Sequence, residues 1–200
     1  MIEEKIEKTL TEKLNIASKK LENSIKLMES HEVKSDLLSR FIASYTFITM
    51  QHTESIIILL KNNKYISTSS LARPLFEALI RGTWLCHKGT EDIANKINED
   101  SYTFETMNIM CEDIDLSIGQ RHYEIIKDKI WKALNSYTHG GTHLLSRCVT
   151  ENCISPNFTD KELGEFLSSS LTSMLMMIYE YADYANNEDL RDKIGKMIAD

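Results

Sequence analysis

Arg73, Glu77 and Arg81 are spaced four apart, so on a helix they fall on one strip about 80° wide, where a single carboxylate can bridge two guanidinium groups. Two cations against one anion leave that strip net positive, and the planar fork of arginine suits phosphate. A buried Arg-Glu-Arg ladder also pairs charges with no function attached, so the same residues equally describe a polar network that fixes helix register. The second concentration of chemistry runs from Trp131 to Arg147. Trp131, Asn135 and Thr138 share one side of a helix there, His139 follows in its last turn, and His143 and Arg147 lie just beyond. Histidine changes charge near neutral pH, which makes His139 a general acid or base beside an amide and, across the bundle, the arginines. The plainer reading is that His139 caps the helix while Gly140 and Gly141 reverse the chain.

His139 and His143 are themselves four apart, a spacing that can hold a metal. Gly140 and Gly141 interrupt the helix between them, and no nearby carboxylate completes a ligand set, so no metal is expected. No cofactor is expected either. The sequence has no Glu-x-x-His pair of the di-iron bundles, and it lacks a P-loop, a dinucleotide glycine fingerprint, a GxSxG elbow and an HExxH motif.

The elements that must position these residues are helices. In 200 residues there are only 2 Pro and 7 Gly, and no internal repeat or low-complexity linker. Few breaks of that kind argue against a β sandwich and for an all-α fold, a single helical domain over residues 1–200 with about six main helices. Apolar residues at steps of three and four from Ile2 to Met28 predict a long amphipathic first helix, which offers a face for dimerisation. A second helix over Asp36–Asn62 is expected to bury Phe41, Tyr45, Ile48, His52, Ile56 and Leu59. A third, Ser69–His87, starts from a Ser69 or Ser70 cap, with Pro74 near its first turn or at a kink. Apolar residues surround this third helix on nearly all sides, which makes it the expected central helix and the Arg73 strip a costly insertion. A fourth helix spans Thr90–Asp113 and a fifth Arg121–Thr138. After one helical turn near His143–Arg147, Thr159 and Glu162 form a capping box for a sixth, ending near Asn186. A short helix over Glu188–Ile198 closes the chain.

A net charge of -7 opposes any whole-surface attraction to nucleic acid or anionic lipid, so an RNA contact would have to be local. The segment Met1–Lys8 has no apolar core of a signal peptide, and apolar runs such as Ile56–Leu60 are too short to cross a bilayer. The four cysteines form no CxxC pair. A cytoplasmic location, with no membrane contact, is the resulting expectation.

Two segments carry a family resemblance. Ser70-Leu71-Ala72-Arg73-Pro74-Leu75-Phe76-Glu77-Ala78 with Arg81-Gly82-Thr83-Trp84, and Trp131 through His139 with its Leu134-Asn135-Ser136-Tyr137-Thr138-His139 end, resemble an uncharacterised family of bacterial all-helical proteins. More distantly, an arginine-rich helix and a histidine at a later helix end look like the HEPN group of helical ribonucleases and nucleotide-binding proteins. Arg81 and His87 match the Arg-x4-6-His spacing of that group. The resemblance implies a homodimer acting on RNA or a nucleotide without metal, in toxin or anti-phage systems. In it Arg81 and His139 would be catalytic, and Arg73, Glu77, Asn135, His143 and Arg147 would bind or orient substrate. The alternative from a different class is a non-catalytic helical interaction or scaffold module with a protein partner, in which the Arg-Glu-Arg strip and His139 form a buried network.

Overall fold

The computed structural model describes residues 9–199. In chain order the helices among them are α1 (Leu10–Glu29), α2 (Leu37–Lys61), α3 (Tyr65–Lys88), α4 (Glu91–Asn98), α5 (Met107–Ile118), α6 (Tyr123–Thr138), α7 (Thr142–Leu145), α8 (Asp160–Tyr184) and α9 (Glu188–Ala199). The fold is all-helical, with no strand among the described residues. Among the described residues no helix is long and apolar enough to cross a membrane.

Helix α3 is central: α2, α8, α5 and α6 all pack on it. Leu75, Phe76, Leu79, Ile80, Trp84 and Leu85 are buried there, as apolar residues on every side require. The helix begins five to six residues earlier than a serine cap predicts. Ser69 and Ser70 lie inside it and return their hydroxyls to the Ile66 carbonyl, while Lys64 stands at the N-cap with no side-chain bond. Pro74 therefore sits well inside α3 rather than in its first turn.

Three further expectations need correction. Helix α1 starts at Leu10 from a Thr9–Glu12 capping box; Ile2 and Ile6 of the predicted stripe lie outside the described residues. Its buried residues Leu14, Ala17 and Leu21 pack within the chain, against α8 and α2. Helix α2 is rotated from its predicted phase: Ile48 is exposed and His52 half-buried, while Thr46, Thr49 and Thr53 are buried. Threonine tolerates burial because its hydroxyl finds a nearby carbonyl, from Thr46 to Ile42, Thr49 to Thr46 and Thr53 to Ser170. Partial burial pushes the His52 pKa down. The predicted fourth helix is two, α4 and α5, broken where Asp100 takes a left-handed φ of 53°. Tyr102 and Phe104, two apart between the two helices, both lie against Trp84 at 6.4 and 6.2 Å.

The start of α6 is set from outside. His122 at its N-cap makes no capping bond. The buried Asp115 carboxylate of α5 instead accepts the Tyr123 and Glu124 backbone N–H groups, at 2.8 and 3.0 Å. A carboxylate there satisfies orphan donors and complements the helix dipole. The Tyr123 hydroxyl then donates to Glu180 of α8 at 3.2 Å, and burial pushes that phenol well above its ordinary pKa.

Candidate functional site

The two segments singled out by their chemistry meet where the end of α6 lies on α3. Proline has no N–H, so the Ser70 carbonyl four residues before Pro74 loses its helical partner. The Thr138 hydroxyl of α6 donates to that carbonyl at 3.4 Å. The Ser70 hydroxyl in turn shares its one proton between the Ile66 carbonyl at 3.1 Å and the Tyr137 carbonyl at 3.3 Å, the second being one of the orphan acceptors of the α6 C-terminus. Helix α6 ends with Gly140 in a left-handed conformation, φ 69°, and Gly141 closes against Ser136, whose atoms a Cβ would strike at 2.5 to 3.1 Å.

One residue beyond Thr138, His139 Nε2 contacts the Arg73 guanidinium. Arginine can only donate, so the imidazole nitrogen accepts in this contact. Arg73 Nε donates to Glu77 Oε1 at 2.7 Å, and its guanidinium lies over the Trp131 ring at 5.2 Å from the centroid. Arg81 takes the other oxygen of Glu77 at 3.6 Å and lies over Phe104 at 5.3 Å. Its Nε is buried without a partner among the described residues. Glu77 thus bridges both arginines as the four-residue spacing predicts. The strip is open: the side chains of Arg73, Glu77 and Arg81 retain 23%, 20% and 38% of their exposure, and His139 is exposed.

The structure brings Arg73, rather than Arg81, to His139. Arg81 starts two turns, about 12 Å, further along the axis. Asn135 enters through its backbone, its carbonyl accepting the His139 N–H at 3.0 Å. His143 and Arg147 go elsewhere. The His143 ring lies 6.1 Å from that of Tyr137, and Arg147 pairs with Glu162 and lies over Phe158 at 5.8 Å. His87 hydrogen-bonds Glu180 at 3.0 Å, so it and Arg81 serve different partners despite their spacing. No cluster of three His, Cys, Asp or Glu side chains able to hold a metal occurs among the described residues. Sequence reasoning missed Phe104, and Tyr45, whose hydroxyl lies against Arg81. It also missed the Ser70–Thr138 exchange, which the missing N–H of Pro74 could have signalled.

Residues 46–200 match a family of unknown function (DUF6988), and the chain belongs to that family. The match takes in both α3 and α6 and leaves out α1. No curated protein and no solved structure matches the chain.

Proposed function

We propose that the Arg73–His139 junction holds a phosphate of RNA or a nucleotide, and that the protein is a metal-independent, HEPN-like ribonuclease of a bacterial toxin or anti-phage system, acting in the cytoplasm as a homodimer. One observation supports this reading above the others: the Arg-Glu-Arg strip and His139 are open to solvent and carry surplus positive charge. A ladder that served only to fix register would be sealed. In the proposed reaction a phosphate oxygen takes the Arg73 hydrogen bonds now given to His139. Arg81 holds a neighbouring group of the chain, and Glu77 keeps both forks in place. His139 Nε2, released, accepts the proton of the ribose 2′-hydroxyl as its oxygen attacks phosphorus. The 5′-oxygen leaves with a proton from water, giving a 2′,3′-cyclic phosphate and a 5′-hydroxyl.

A second reading, a non-catalytic interaction module, draws on a different observation. Arg73 already has Glu77, His139 and Trp131 as partners, and the Ser70–Thr138 exchange beside it ties α3 to α6. Incubating the protein with total RNA in EDTA separates the two readings, with Arg73→Ala, Arg81→Ala and His139→Ala variants matched for folding by circular dichroism. The ribonuclease reading expects cleavage by the wild type and a loss of about 100-fold or more in His139→Ala. Equal cleavage by wild type and His139→Ala, or none by any protein, would favour the module.

A further inference from the structure

Helices α6 and α8 both lie against α3 but stand apart from each other along a cavity of about 270 Å³. Its floor is Ala72, Leu75 and Phe76 of α3. One end is shut, where Tyr137 stands on Phe166 at 5.3 Å and Arg147 is paired with Glu162. Away from that end the lining carries Lys129 on α6 and Ser173 on α8. Lys129 has no ion-pair partner among the described residues. On α6, Ala133 and Tyr137 face the cavity, and at 100° per residue they lie on roughly the opposite side from Trp131 and His139. This space is therefore separate from the Arg73–His139 junction.

We propose that the cavity binds an unbranched aliphatic carboxylate of medium length, with the chain between α6 and α8 and the carboxylate at Lys129. From Tyr137 to Lys129 is about 12 Å along the helix. With carbon–carbon bonds of about 1.5 Å at tetrahedral angles, an extended chain advances about 1.25 Å per bond, so about ten carbons fill that length. Ligand pockets usually run from about 300 to 1,000 Å³, so this one is too small for a nucleotide or a long-chain acyl group. Charge sets the direction of the occupant. Arg147 at the closed end is spent on Glu162, and Glu165 stands on the cavity wall beyond it, so an anionic head is repelled from that half. Lys129 supplies the unspent cation at the open end, with the Ser173 hydroxyl at that end of α8 as a donor.

Calorimetric titration of the protein with decanoate and with decan-1-ol tests the assignment, using Lys129→Gln, Ala133→Leu and Ala133→Trp variants whose folding is checked by thermal unfolding. Decanoate is expected to bind saturably at one site below its micelle concentration. Lys129→Gln should weaken decanoate about fivefold and leave decan-1-ol unchanged, as loss of one solvent-exposed charge contact predicts. Ala133→Leu should weaken both ligands and Ala133→Trp should abolish both. No saturable binding of decanoate by the wild type, equal affinity in Lys129→Gln, or unchanged affinity in a folded Ala133 variant would overturn the proposal.

Discussion

Pro74 costs α3 one backbone hydrogen bond, and Thr138 replaces it from the neighbouring helix. That trade ties α6 to one position along α3, and with it His139 to Arg73. Thr138→Val should therefore lower stability by about 1 kcal/mol, the usual net worth of such a bond. In a Pro74→Ala background residue 74 regains its N–H, the Ser70 carbonyl is served within α3, and the cost of Thr138→Val should shrink. A double-mutant cycle in urea measures the difference, and equal costs in both backgrounds would refute the coupling. At this scale the Arg73–Glu77–Arg81 strip was legible because a four-residue step fixes the relative direction of side chains on any helix. The choice of Arg73 over Arg81 as the neighbour of His139 was not. It depends on how far along α3 the end of α6 docks, which two carbonyls and two hydroxyls decide.

Helix α3 lies close to two neighbours at once where it carries Gly82. A Cβ there would meet Met177 Sδ of α8 at 2.5 Å and Tyr45 Cβ of α2 at 2.9 Å. In an isolated helix Gly→Ala gains about 1 kcal/mol, but here Gly82→Ala should lower stability by about 1–3 kcal/mol, because a buried crossing has to open. Urea unfolding of the variant checks this, and a more stable Gly82→Ala would show that Met177 and Tyr45 give way freely. The central place of α3 was readable from apolar residues on every side, and the start of α8 from its Thr159–Glu162 box, which the structure shows. The break between α4 and α5 was masked because Ile93, Ala94, Ile97 and Met110 keep a helical rhythm on either side of it. Tyr102 and Phe104 lie in that break, and both rings reach Trp84, a convergence that a two-residue spacing would not give on one helix. Helix α2 misled for another reason: its buried face is lined partly by threonines, which a count of apolar residues assigns to solvent.

Over the whole molecule the net charge is -7, so any polyanion must be held by a local field. The Arg73–Arg81 strip, roofed by Trp131 and Phe104, is such a place. The family match spans the helices that build it. The described part of the α1 stripe, Leu14, Ala17 and Leu21, packs within the chain, against α8 and α2. Whether the junction of α3 and α6 takes a phosphate can be asked without requiring cleavage. Protein carrying isotope-labelled histidine is titrated with a 2′-O-methyl dinucleotide, which cannot be cut by attack of its own hydroxyl, while the imidazole resonances are followed by NMR. The account predicts a saturable shift of the His139 ring signals with those of His52 unmoved, and an affinity about tenfold weaker in Arg73→Ala, the equivalent of one charge-assisted hydrogen bond. A His139 signal that does not move, or that moves with the same affinity in Arg73→Ala, would contradict it.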